Sequence, residues 1–176
     1  MKHSFLYYAI MVLTFFSGSA AGQFTQSQMI TEWQRAKIYT KTYLDAMPPD
    51  GYSFKPTPET RSFAGQMLHL ATDNYGFACY ATGKQNPIGD SSLEKTIPPT
   101  KEATTKAVMD SYDFMIATLQ SLTSEQMNEP VKSDDSKSMS RSNVFGKAFE
   151  HQTHHRGQTT IYLRLKGVTP PPEMLL

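Results

Sequence analysis

Apolar side chains recur at intervals of three and four residues in four stretches of the chain, the period typical of α-helices that bury one face. The first stretch runs from about Ser27 to Met47. It is followed by Pro48–Gly51, where two prolines and a glycine predict a stop and a turn. Residues 52–59 contain two further prolines, which disfavour helical geometry in the residues before them, so we predict an extended connector there.

The second stretch, from about Thr60 to Ala81, carries apolar residues on two faces, which predicts a central, well-buried helix. The segment Gly83–Pro99 that follows is rich in glycine and proline and predicts a long loop. At about 3.3 Å per residue it reaches on the order of 50 Å, enough to cross a bundle from end to end. We therefore predict that the second and third helices run parallel and that the other sequence neighbours run antiparallel.

The third stretch runs from about Thr100 to Leu122. The polar segment Ser124–Arg141 predicts a mobile surface loop. The fourth helix is expected to start near Ser142 or Asn143, both good N-cap residues, and to end at Lys166-Gly167. No strand pattern or internal repeat is visible in the sequence. The predicted fold is therefore an all-α four-helix bundle with a long crossover between helices 2 and 3.

The first 22 residues have the pattern of a secretory signal peptide. Lys2 precedes an apolar run from Phe5 to Phe16, and the small residues Ser17–Gly22 follow it. A run of about 12 apolar residues is shorter than the roughly 20 that span a bilayer, which favours a cleaved signal over a membrane anchor. We expect export to the periplasm or the extracellular space, a mature N-terminus near Ala21–Gln23 and no stable membrane insertion after cleavage. Intact Met1 in membrane fractions would indicate an anchor instead.

The remaining residues, 23–176, have the size of one ordinary domain. The formal net charge is +1, from 17 basic and 16 acidic residues, so the chain lacks the basic stripe that nucleic-acid binding requires. The only cysteine, Cys79, lies among apolar neighbours, which predicts a small buried side chain rather than a nucleophile.

Two histidines of the fourth helix, His151 and His155, are four residues apart, so their imidazoles lie one turn apart on one face. That face is predicted to belong to a core stripe consisting of Val144, Ala148, His151, His155, Gln158, Tyr162 and Leu165. Burying an unpartnered imidazole costs a few kcal/mol, and a bound metal ion would offset that cost for both side chains. The alternative is a pair of core histidines that hydrogen bond to other side chains or to water.

The intervening residues exclude one class of metal enzyme. The common zinc-protease helix has a glutamate directly after the first histidine as general base, and this chain has Gln152 there. His154 points away from His155 and is interpreted as a flanking residue, the likeliest substitute if a ligand is misassigned.

A site on the bundle core needs a ligand from a second helix, and His69 in the predicted second helix is the candidate. Its stripe contains the small residues Gly65, Thr72 and Gly76, which leave room for an ion and its ligands. The Thr72 hydroxyl could bond an imidazole, although such threonines more often bond their own helix backbone. Asp73 could ligate the ion, orient an imidazole or meet substrate, but taken alone it is best interpreted as a polar rim residue.

The run Phe63–Leu70 resembles the opening histidine helix of the DinB family, also called DinB/YfiT-like, and His151–Gln158 is similar to its closing histidine helix. The resemblance covers roughly residues 25–172. It implies a four-helix bundle with a long crossover and a nickel- or zinc-type divalent ion. The ligands that it implies are His69, His151 and His155.

Three functions remain open at this point. A metal-dependent hydrolase would use the ion to polarise a carbonyl and to lower the pKa of a water molecule. A thiol transferase would use it to bind a sulfur as thiolate, although export argues against this function because the thiols used by such relatives belong to the cytosol. The third is a non-catalytic metal- or ligand-binding stress protein. The expected partner is a small-molecule substrate or ligand, and a homodimer is left open.

Overall fold

The computed structural model describes residues 24–131 and 138–175, and these residues form helices without a strand. The predicted signal peptide, residues 1–22, lies outside them. In chain order the elements are α1 (Gln26–Ala46), a 3-10 turn (Pro49–Gly51), α2 (Phe63–Thr82), α3 (Leu93–Thr96), α4 (Lys101–Gln120), α5 (Ser124–Asn128) and α6 (Arg141–Leu165). Among the described residues, no helix has the length and apolarity needed to cross a membrane. The predicted all-α fold is confirmed.

Contacts near both ends of three helix pairs give the topology of the bundle. They are Gln26–Leu119 and Lys101–Met47 between α1 and α4, Trp33–Phe149 and Tyr43–Thr160 between α1 and α6, and Arg61–Tyr162 and Ala81–Arg141 between α2 and α6. Hence α1 is antiparallel to α4 and parallel to α6, and α2 is antiparallel to α6. It follows that α2 and α4 run parallel, as the long crossover predicted.

Side-chain caps set the starts of the long helices and correct two predicted boundaries. The Ser62 hydroxyl accepts the Gly65 amide hydrogen, so α2 begins at Phe63 rather than at Thr60. Thr60 is instead held in a turn by its bonds to Thr57. Ser140 likewise caps α6, which therefore begins at Arg141 rather than at Ser142 or Asn143.

Two segments that were predicted as loops contain short helices. The crossover carries α3, which turns Leu93 into the core, and the segment after α4 begins with α5, which buries Met127. Each has a threonine or serine N-cap, and a single buried apolar residue is too little to produce a periodic signal in the sequence. Residues 132–137 of the predicted mobile loop lie outside the described part of the chain.

The buried face of α6 is broader than the predicted stripe, because α6 packs against both α1 and α2. The side of α6 next to the stripe is also buried, at Gln152, Arg156, Thr159 and Leu163. Conversely, Leu165, the last residue of α6, is 57% exposed. The predicted apolar period therefore located the helix correctly but misplaced one edge of its core face.

Candidate metal centre

Antiparallel packing of α2 on α6 brings the three predicted ligands together. One possible ligand atom from each of His69, His151 and His155 lies within 4.8 Å of the other two. The ring centroids are 4.3 Å apart for His151 and His155, and 4.5 Å apart for His69 and His155. Whether these side chains ligate a metal stays a prediction, but their convergence from two helices is the arrangement that the sequence predicted.

The one-turn spacing on α6 separates the clustered histidines from the flanking one. His151 and His155 point toward α2, whereas the imidazole of His154 is exposed and lies 2.9 Å from the side-chain nitrogen of Gln158. His154 thus flanks the cluster as predicted, but it does not point away from His155, since their ring centroids are 4.9 Å apart.

The cluster passes a test of whether its residues fit a metal ion. Nδ1 of His151 and Nδ1 of His155 are both buried, and neither has a hydrogen-bond partner in the described structure. Burial, together with the nearby imidazoles of His151 and His69, lowers the pKa of His155 to about 4, so it is neutral at pH 7. Burial also lowers the pKa of His69. A neutral imidazole with a buried, unused nitrogen is the form that binds a transition metal, and leaving it unused costs free energy.

Asp73 directly contacts the cluster from the next turn of α2. One of its carboxylate oxygens, Oδ2, lies 2.9 Å from Nε2 of His151 and 3.6 Å from Nε2 of His69. Burial raises the pKa of Asp73, but the hydrogen bond from His151 and the charges of the histidines outweigh it, so the pKa lies below its usual value. Of the roles left open by the sequence, this geometry favours orienting an imidazole. When His151 donates through Nε2, its Nδ1 keeps a free lone pair.

Glu94 was missed by sequence analysis because it belongs to α3, inside the predicted loop. Its Oε1 lies 3.4 Å from Nδ1 of His69, and its Oε2 accepts a hydrogen bond of 3.0 Å from Nε of Arg61. The Leu93 amide donates to the Thr72 hydroxyl and thereby ties α3 to α2. The signal that could have located α3 is Ser92, whose side chain caps the helix at the Glu94 amide.

The small residues around His69 only partly have the roles that the sequence predicted. The Thr72 hydroxyl donates to the Leu68 carbonyl, the backbone bond that was considered the more common outcome. A side chain at Gly65 would meet the Ser62 hydroxyl at 3.2 Å and Glu94 at 3.8 Å, so this glycine makes room for the helix cap and for Glu94. Only Gly76 leaves open space, with nothing within 4 Å of an added Cβ.

Gln152 and Arg156 form a buried polar network on the side of α6 that faces α1 and α4. The Gln152 Oε1 accepts hydrogen bonds of 2.9 Å from both Arg156 and the hydroxyl of Tyr112. The guanidinium carbon of Arg156 also lies 4.3 Å from the ring centroid of Tyr39. The Gln152 side chain therefore bonds on the side of α6 that faces away from the histidines. Its position, as well as its inability to accept a proton, excludes it as a general base for this site.

The only cysteine, Cys79, is buried as predicted, and its Sγ lies 3.6 Å from the carbonyl oxygen of Gln85. Burial raises the pKa of the thiol. A protonated, buried thiol is a poor nucleophile.

Comparisons with known proteins agree on one family and one fold. The DinB family model matches residues 20–175. The uncharacterized protein YjoA of Bacillus subtilis (strain 168) is 25% identical over 153 residues, which are 83% of this chain and 94% of that protein. Its crystal structure, described as DinB-like, gives a TM-score of 0.67 with 21% identity, and covers 84% of this chain and 97% of that one.

Two further solved structures share the architecture. A DinB-like protein from Bacillus cereus ATCC 10987 gives a TM-score of 0.72 at 20% identity, over 85% of this chain and 97% of that one. YfiT from Bacillus subtilis, described as a probable metal-dependent hydrolase with an unusual four-helix bundle topology, gives 0.59 at 16% identity, over 81% of this chain and 87% of that one. At these identities the likenesses establish the four-helix bundle fold.

Proposed function

This chain belongs to the DinB family, and we propose that it holds one divalent transition metal ion, zinc or nickel, through His69, His151 and His155 and acts as a metal-dependent hydrolase on a small molecule. The observation that carries the proposal is the pair of buried Nδ1 atoms without a hydrogen-bond partner in a cluster of three imidazoles. The description of YfiT as a probable metal-dependent hydrolase supports the reaction class.

An ion at this site would polarise a carbonyl of the substrate and lower the pKa of a water molecule. The chain's own residues hold the donor nitrogens in place. Asp73 accepts from His151, and Glu94, itself held by Arg61, lies against His69. Three histidines supply three ligands, which is the pattern of a catalytic rather than a structural site.

The proposal includes export from the cytosol. Its support is the short apolar run followed by small residues in positions 5–22, and the family match begins only at residue 20, near the end of that run. N-terminal sequencing of secreted protein tests it.

The hydrolase proposal is tested by stripping the purified protein with a chelator, reloading it with zinc or nickel and assaying uncharged esters and amides. We expect one ion per chain and hydrolysis that needs the ion. The same preparations, given a low-molecular-weight thiol and an electrophile, report on the competing function. Thiol conjugation without hydrolysis would replace the hydrolase by a transferase, and stoichiometric metal with neither activity would indicate a binding protein. A chain that retains no metal would refute the site itself.

The role of Glu94 gives a separate prediction. We expect Glu94→Gln to weaken zinc binding by about 10- to 100-fold, the usual effect of losing a carboxylate that orients a metal-binding histidine. Competition with a chromophoric chelator measures the zinc dissociation constant. Glu102→Gln is the matched control, because Glu102 is an exposed residue in the first turn of α4. Equal dissociation constants for both variants would show that the 3.4 Å contact to His69 does not position that ligand.

A further inference from the structure

A cleft of about 290 Å³ lies along one face of α2, next to the histidine cluster. It is lined by Asp73, Gly76, Phe77 and Tyr80. Their spacing of three, four and seven residues places them on a single stripe of the helix. The volume lies at the lower end of the range for small-molecule pockets, about 300–1,000 Å³.

The cleft is continuous with the cluster through two contacts. Asp73, at one end, lies 2.9 Å from His151, and the ring centroid of Phe77 is 5.7 Å from that of the same histidine. A molecule in the cleft therefore has one end beside the imidazoles. Neither this cleft nor a larger one of about 540 Å³, between the starts of α1 and α6, has a histidine among its described lining residues. The smaller cleft is distinguished by Asp73 and Phe77, which both contact His151.

The open space of the cleft comes from Gly76. A Cβ added there would meet nothing within 4 Å, although the residue lies in the middle of a helix where glycine has no conformational advantage. Tyr80, at the outer end, is 46% exposed, so the cleft is open to solvent. A Cβ at position 76 would therefore extend into the cleft without meeting the protein.

The lining also restricts the charge of a ligand. Phe77 and Tyr80 offer aromatic surface, and among the described residues that line the cleft Asp73 is the charged one, with no lysine or arginine. An anionic group would lose its hydration and gain a repelling carboxylate, whereas an uncharged ring would gain stacking and apolar contact.

We propose that this cleft, which we call the α2 cleft, binds an uncharged aromatic group of the substrate and places the adjoining bond at the histidine cluster. The assignment to a substrate rests on the proposed hydrolase function. The binding of an uncharged ring does not rest on that function, because the residues that line the cleft all belong to α2.

The test uses three compounds. Benzamide has an aromatic ring and no charge, benzoate has the ring and a negative charge, and acetamide has neither. Each is titrated into isotope-labelled full chain, both zinc-loaded and chelator-treated, and the backbone amide signals of Phe77 and Tyr80 are followed by NMR. We expect benzamide to shift both signals in both forms and to bind at least tenfold more tightly than acetamide. In the chelator-treated form, where no ion can attract a carboxylate, benzoate should also bind at least tenfold more weakly than benzamide.

Gly76→Leu should abolish these shifts at Tyr80 while leaving the zinc content at the level of the unsubstituted chain. The variant should fold, since leucine favours a helix more than glycine does and meets open space here. Gly146→Leu is the matched control, a helical glycine of α6 that also has open space and lines the larger cleft. Benzamide binding that survives Gly76→Leu, or benzoate binding as tight as benzamide in the chelator-treated form, would overturn the proposal. Loss of zinc from the unsubstituted chain with benzamide binding retained would refute the metal site alone.

Discussion

His155→Ala is expected to abolish stoichiometric zinc binding, which makes it one of the two most damaging single substitutions that we predict. It removes one of three ligands and leaves the buried Nδ1 of His151 without the ion that would pair with it. The loss should exceed the 10- to 100-fold effect of removing an orienting partner. Zinc content after dialysis against a weak chelator measures it directly.

Thermal unfolding provides a second measurement of the same change. An ion that binds only the folded chain stabilises it by about 4 kcal/mol at a free concentration of 1,000 times its dissociation constant. For a domain of this size that corresponds to an increase in Tm of roughly 8–16 °C. We expect zinc to raise the Tm of the unsubstituted chain and to leave that of His155→Ala unchanged.

His154→Ala is the matched control, since it replaces an exposed histidine one residue away. It should keep both the zinc and the increase in Tm. The reverse pattern, with zinc lost from His154→Ala and kept by His155→Ala, would mean that α6 presents the other face to α2. Zinc that survives replacement of His69, His151 and His155 together would refute the site.

The part of the site that follows from helix geometry could be predicted from the sequence. Spacing of four residues puts His151 and His155 on one face whatever the tertiary structure, and a crossover of the length of Gly83–Pro99 permits parallel helices. The convergence with His69 also followed, because a site on the bundle core needs a ligand from a second helix and His69 was the histidine of the predicted second helix.

The contacts that depend on irregular backbone could not be predicted. Glu94 reaches His69 because α3 is held against α2 by the bond from the Leu93 amide to the Thr72 hydroxyl and by the Arg61–Glu94 pair, and nothing in the sequence indicates this long-range pairing. The burial of Gln152 and Arg156 was missed for a different reason. An apolar period assigns polar residues to the surface, whereas Gln152 and Arg156 hydrogen bond to each other inside the bundle and Gln152 also accepts from Tyr112.

Gln152→Leu is the second substitution for which we expect a large effect, and here the effect is on folding. Gln152 is fully buried, and its carbonyl oxygen accepts from Arg156 and from Tyr112. Leucine leaves a buried guanidinium and a buried hydroxyl without that acceptor, and a hydrogen bond to a charged group contributes about 1.5–3 kcal/mol. We expect the free energy of unfolding to fall by about 3 kcal/mol, measured by urea denaturation of the metal-free chain.

The double variant Gln152→Leu/Arg156→Met shows whether the cause is the lost acceptor. With the guanidinium removed, nothing charged remains unpaired, so the double variant should be less destabilised than the sum of the two single variants. Additive losses would indicate that leucine merely packs badly at this position.

Gln152→Glu separates this structural role from a catalytic one. It creates the His-Glu-x-x-His pattern of zinc proteases, yet the side chain at position 152 bonds to Arg156 and Tyr112 rather than facing the histidines. A carboxylate there keeps both acceptor contacts and supplies a counter-charge to a cation that is only 4% exposed, which offsets the loss of the bond that the Gln152 amide nitrogen donates to the Phe149 carbonyl. We therefore expect Gln152→Glu to be far more stable than Gln152→Leu and to show no peptidase activity when loaded with zinc. Peptidase activity would mean that this side chain can turn toward the ion, and the separation of the two faces of α6 would then be wrong.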